Sequence, residues 1–290
     1  MDKRKIQYGI VVLMLAFVFV GCGQKKKNDV KVYENTEEVT ADHEEASMTA
    51  IITSMDMENN QMHFVSVLDG TDITLQYHGG VRVTDTTGAD IGIDNVACGN
   101  VVDIVYYMDT EKLVSIAKNA KVKTYTQIKK FLYRQDDHTA VYNGNRFPVS
   151  DYAQVFDGDQ ALSLVDVNTE DEVTLSLWNG NLVSVIITKG HGYVRLLNQG
   201  TYVGGFVEIG KDVIVPVTAD MLVAVGEGDY TLRISKNGYS GEKSIRVTKD
   251  RELNVDISDI AIPSGTVTFA VTPEDANEVI KVDGLSLIHI

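Results

Sequence analysis

The chain has 290 residues, a formal net charge of −15, 44% hydrophobic and 23% charged residues. These are globular proportions, and the length suits two or three domains of ~100–200 residues each. The acidity excludes nucleic acid as a partner, because phosphate binding needs Lys and Arg to displace counterions, and no basic stripe with interleaved aromatics occurs. With 24 Gly and 4 Pro, the chain has the makings of many tight turns between uninterrupted strands.

The N-terminus opens with Lys3-Arg4-Lys5, followed by eleven consecutive apolar residues from Ile10 to Val20. A helix needs ~20 residues to cross a hydrocarbon core, so residues 1–21 read as a secretory leader instead. The run closes on Phe19-Val20-Gly21-Cys22. This resembles the lipobox of bacterial lipoproteins, with Phe19 in place of the usual Leu. The resemblance implies cleavage after Gly21 and a diacylglyceryl group on the Cys22 thiol. Each buried methylene then contributes ~0.8 kcal/mol, and two or three acyl chains hold the protein on the extracytoplasmic face of the membrane. Residues 22–47 are polar and charged, too poor in large apolar side chains to fold, and read as a tether. Lys25-Lys26-Lys27 either touches anionic head groups or is plain solvated linker.

From Met48 the pattern changes to short apolar runs broken by turns, with no sustained 3.6-residue period, which predicts an all-β body. Residues 48–120 form a first module, with strands over 49–55, 62–68, 73–77, 101–107 and 113–117. Asp69-Gly70 turns the second hairpin, since Gly tolerates positive φ. Residues 121–189 form a second module on the same plan. Val173 to Trp178 and Leu182 to Thr188 pair across Asn179-Gly180, and this hairpin resembles the one over 101–117. The expectation is a tandem of small β-barrel or sandwich modules, a barrel of the OB or SH3 kind.

Residues 190–260 form a third unit. Tyr230, Leu232 and Ile234 alternate, Asn237-Gly238 turns the chain, Ile245 and Val247 alternate again, and Leu253, Val255 and Ile257 complete a meander. The run Gly228-Asp229-Tyr230-Thr231-Leu232-Arg233-Ile234-Ser235-Lys236-Asn237-Gly238-Tyr239 resembles the core of the PEGA family. Near Ser264 a second copy begins. There Pro273-Glu274-Asp275-Ala276 is similar to the family's Pro-Glu-Gly-Ala, with Asp for Gly. The resemblance covers about residues 190–290 and implies β-sandwich modules of surface proteins, without catalytic residues to carry over. Residues 261–290 are too short for a full second copy. The ending Leu-Ser-Leu-Ile-His-Ile reads either as a foreign tail or as a short strand closing the sheet.

Chemistry-bearing motifs are sparse. His43, His63, His78, His138, His191 and His289 lack metal-ligand spacing to one another or to cysteine, so no metal or cofactor is expected. No phosphate-cradling Gly-Lys-Ser/Thr loop or Gly-x-Ser-x-Gly elbow occurs. With Cys22 lipidated, Cys98 has no disulfide partner and reads as a small buried apolar residue. Asp157-Gly158-Asp159 with Asp166, and Glu170-Asp171-Glu172, offer hard oxygens of the kind calcium takes, without the full spacing of a known loop. Trp178 reads as a sugar-stacking platform or a buried strand-end aromatic. His191 and Tyr193, at the boundary of the second and third units, read as part of a junction pocket or as a hinge.

The function expected is therefore a non-enzymatic, lipid-anchored envelope protein presenting β modules to a wall polymer, polysaccharide or protein partner. An accessory or sensor subunit of an envelope complex is the alternative. A hydrolase whose site forms only on folding is a third.

Overall fold

The computed structural model describes residues 43–260, 279–282 and 285–289. The leader, Cys22, nearly all of the tether and residues 261–278 of the expected second copy lie outside the described residues.

The first module contains β1 (Glu45–Asp56), β2 (Gln61–Ser66), β3 (Asp72–Gln76), β4 (Arg82–Thr84), β5 (Asp90–Ile91), β6 (Val101–Tyr107) and β7 (Lys112–Lys118). β1 begins at Glu45, inside the segment expected to be tether. Its polar start is held by pairing with β6, from Glu45↔Tyr107 onward, rather than by apolar burial. β1 pairs antiparallel with both β2 and β6, and β6 forms a hairpin with β7. β7 runs parallel to β4 and meets β3 at Gln76↔Lys112. The ring β1-β2-β3-β7-β6 thus closes on itself, a five-stranded Greek-key barrel of the OB kind. Strand alternation fills it: Met62 and Phe64 of β2 point in, while His63 and Val65 alternate with them on the other face.

The second module contains β8 (Lys123–Ile128), β9 (Leu132–Arg134), β10 (Thr139–Tyr142), β11 (Asn145–Asp157), β12 (Gln160–Leu162), β13 (Glu172–Trp178) and β14 (Asn181–Lys189). It repeats the plan of the first. β8 and β9 together take the place of β1, the first pairing with β13 and the second with β10. β11 takes the places of β3 and β4, pairing with β10 and then running parallel to β14. Each module has a short 3-10 turn before its last hairpin, at Ile93–Asn95 and Leu164–Asp166.

The third unit contains β15 (His191–Leu197), β16 (Phe206–Ile209), β17 (Val213–Pro216), β18 (Leu222–Gly226), β19 (Gly228–Lys236), β20 (Tyr239–Val247) and β21 (Glu252–Asp256). It is a sandwich of two sheets, β18-β15-β21 and β17-β16-β19-β20. Val194, Val225 and Val255 from one sheet and Val207, Leu232 and Ile234 from the other share one core. The expected meander is corrected here. β19 and β20 form a hairpin, but β21 leaves that sheet and pairs parallel with β15. The turn at Thr248–Arg251 carries it across, anchored by the Asp250 N–H donating to His191 O (2.8 Å) and the Tyr193 N–H to Arg251 O (2.9 Å).

Beyond it, β22 (Val279–Val282) and β23 (Leu285–His289) pair antiparallel, so five residues of the ending read as a foreign tail or a closing strand form a strand, and Ile290 lies outside the described residues.

Candidate functional site

The modules meet in packed seams, and the three residues singled out for binding all lie there. At the seam of the first and second modules, Ile51, Val67, Cys98 and Val101 pack on Phe156 and Val183. β1 is buried on both faces at this point, Ile52 inside its own barrel and Ile51 against the neighbour. The contact is close enough to need glycine: Gly99 has φ +84°, and a Cβ there would lie 2.6 Å from Ile186 Cγ1. The Ser184 hydroxyl donates to Gly99 O across the seam at 2.7 Å. Cys98 sits in this core at 2% exposure. Burial, helped by the charge of Asp159, pushes its thiol up to about 11, so it stays protonated and inert at neutral pH.

Trp178 ends β13 and packs half-buried on the same core. It also lines a groove of about 300 Å³, together with Leu68, Ser150, Asp151, Tyr152 and Asn181. A bulge builds this groove. Between Val149↔Leu182 and Gln154↔Ser184, β11 advances five residues while β14 advances two. The first module has the matching irregularity: from Gln76↔Lys112 to Arg82↔Ser115 the chain advances six residues against three of β7. The bulge at Ser150–Ala153 turns Tyr152 outward onto the Asp69-Gly70 turn of the neighbouring module. A Cβ on Gly70 would lie 2.4 Å from the Tyr152 ring, so only glycine lets the ring rest there.

His191 and Tyr193 lie at the seam of the second and third units. Only Gly190 separates the end of β14 from the start of β15. Asp171, 1% exposed, accepts a hydrogen bond from His191 Nδ1 at 2.7 Å and another from the Asn168 N–H at 2.8 Å. A carboxylate only accepts, so Nδ1 carries a proton, while Nε2 lies at hydrogen-bonding distance, 3.1 Å, from the Tyr193 hydroxyl. The two glycines beside His191 serve close packing, not hinging. A Cβ on Gly192 would lie 2.3 Å from Thr248 O, and one on Gly190 would meet the Lys249 side chain at 2.7 Å. Lys249 in turn reaches Asp157 of the second module, and that contact raises its ammonium above the ordinary range.

The same seam encloses a cavity of about 100 Å³ lined by Lys129, Lys130, Lys189, Glu170, Glu172, Asp212 and Tyr230. Lys129 and Lys130 come from the break between β8 and β9. Lys129 pairs with Asp212 at 3.3 Å, Lys189 with Glu172 at 3.2 Å and Lys130 with Glu170. Burial raises the Tyr230 phenol, so it stays un-ionised. Sequence reading missed this cavity because Lys129 and Asp212 stand 83 residues apart.

The structure thus joins His191 to Tyr193 and to Asp171, and places Trp178 at a different seam. The acidic runs do not converge. Asp157, Glu170, Asp171 and Glu172 are each committed to a Lys or His partner, Asp166 accepts from the Ser163 N–H, and Asp159 faces Cys98. Among the described residues no three His, Cys, Asp or Glu are grouped to hold a metal ion. No protein-family model and no curated protein matches the chain.

Proposed function

We propose that this chain is a lipid-anchored, extracytoplasmic binding protein of a bacterial cell envelope, holding its β modules outside the membrane to engage a wall polymer or an envelope protein. The observation that carries the binding half of this reading is the groove between the first two modules. It combines aromatic and hydrogen-bonding side chains of the second module with Val67 and Leu68 of the first. The anchoring half rests on the basic start, the short apolar run and Gly21-Cys22. The hairpin turned by Asn237-Gly238 and the run Pro273–Ala276 support a PEGA-like reading of the C-terminal third.

The reading is non-enzymatic. Asp171, His191 and Tyr193 form a carboxylate–imidazole–hydroxyl relay of the kind that activates nucleophiles. Here the relay joins two units. Its carboxylate is buried beneath the seam, and a phenol stands where a reactive alcohol or thiol would.

Two measurements test the proposal. Cells grown on labelled palmitate should incorporate label into the protein, and Cys22→Ser should abolish it. The full-length protein should be retained by purified cell-wall fractions or captured with envelope proteins by cross-linking. Unlabelled protein sinks the anchor. Absence of both retention and cross-links sinks the binding role.

A further inference from the structure

We propose that the groove lined by Leu68, Tyr152 and Trp178 is a binding site for an uncharged glycan chain. This deepens the binding role proposed above and rests on it. A sugar ring presents C–H groups on its faces and hydroxyls around its rim. The C–H hydrogens are weakly positive and suit the negative face of an aromatic ring. Tyr152, 36% exposed, and the half-buried Trp178 are the aromatic rings of the groove, with Leu68, 66% exposed, also on its lining.

The rim of the groove supplies the partners that hydroxyls need. Ser150 donates and accepts, Asn181 does both through its amide, and Asp151 accepts. The Asp151 side chain is 87% exposed, and among the described residues its ionic contact, with His138, is a distant 3.6 Å, which leaves its oxygens open to a ligand hydroxyl.

Charge narrows the ligand class. The groove contains no Lys or Arg and one carboxylate, on a chain of net charge −15. Phosphate-bearing or uronic-acid polymers are repelled from such a surface. An uncharged glycan loses nothing there.

The site is also set before any ligand arrives. Tyr152 is held by the bulge beneath it and by Gly70 against its ring, and Trp178 by the seam core. Side chains already fixed cost little entropy on binding. The volume, about 300 Å³, lies at the low end of small-ligand pockets, as suits a short stretch of chain passing through.

Trp178 is the single tryptophan of the chain, so its emission reports on this groove. The full-length protein in detergent micelles is titrated with chitotetraose, with cellotetraose and with poly(glycerol phosphate). One of the two uncharged oligosaccharides should shift Trp178 emission saturably, and the phosphate polymer should not. Tyr152→Ala should weaken that binding about tenfold. Asp151→Asn, at an exposed side chain, should weaken it a few-fold without touching the fold. No emission change with either oligosaccharide, a response to the phosphate polymer alone, or undiminished affinity in both variants overturns the site. Wall fractions separate this failure from a failure of the broader role. If wild type and both variants are retained equally, the protein binds wall elsewhere and the groove is not the site. If wild type is neither retained nor cross-linked, the binding role itself falls.

Discussion

His191 Nδ1 lies 2.7 Å from Asp171 Oδ1, joining the first residue of β15 in the third unit to a buried carboxylate of the second. The two residues are twenty apart in sequence, on opposite sides of the final hairpin of the second module. The pair explains why this boundary is a seam. A carboxylate removed from water needs partners, and only the incoming strand supplies the second one.

Removing that partner should be costly. His191→Ala leaves Asp171 with the Asn168 N–H alone, and we expect a loss of about 2 kcal/mol in denaturant unfolding. Asp171→Asn keeps an acceptor and removes the buried charge, so it should lose less. Equal stability of wild type and His191→Ala would show that water replaces the imidazole.

Gly99 and Gly180 have the same φ, +84°, in different surroundings. A Cβ on Gly180 meets nothing within 4 Å, so Gly180→Ala should cost only the backbone strain, about 1 kcal/mol. Gly99→Ala adds a collision with Ile186 and Phe156 across the seam and should cost at least 1 kcal/mol more. Thermal unfolding of the two variants, side by side, measures the seam's contribution. Identical midpoints would mean that the modules slide apart at no cost.

The two cysteines give a chemical count. Cys98 is buried and held protonated, so native protein from membranes should show no thiol reactive at pH 8. On denaturation one thiol should appear if Cys22 carries lipid, and two if it does not. A thiol that reacts in the native state would contradict either the burial of Cys98 or the modification of Cys22.

Acid should unfold the third unit through its carboxylates. Asp256 is lowered to about 2, first by the Asn198 amide and then by the Ser258 N–H. A carboxyl lowered on folding binds protons more readily in the unfolded chain. Its stabilisation is therefore complete above the ordinary carboxylate value near 4 and is lost as pH falls toward 2. Glu252, held low by Arg195, and Asp259, held low by Lys243, act with the same sign. The unfolding midpoint should fall across that window, and Asp256→Asn should flatten the slope. A midpoint that rises with acid would refute the linkage.

Much of the fold was legible because its signals are local. Alternation along β2, β19 and β20 marks strands wherever one face is buried and the other is wet. Asn143-Gly144, Asn179-Gly180 and Asn237-Gly238 all take positive φ at both residues, as two-residue hairpins require. The likeness of the hairpins over 101–117 and 173–188 pointed to a repeat, and the matching strand order bears out tandem modules. The switch of β21 between sheets was not legible. Leu253 and Val255 alternate identically whether their strand extends a meander or crosses to the opposite sheet.

The site divides along the same line. Trp178 was weighed as a sugar-stacking platform or as a buried strand end; it is half-buried, packing on the seam core and lining the groove. Tyr152 carried no signal, since the bulge that turns it outward is defined only by its register against β14.

Composition, turn chemistry and side-chain period are properties of a few neighbouring residues, so the sequence by itself determined an acidic all-β chain of repeated hairpins. The parallel closures of both barrels, the seams with their Asp171–His191 pair and the groove join residues tens of positions apart. Their energy comes from burial and close contact that exist only once the strands are packed, so only the tertiary structure decided them.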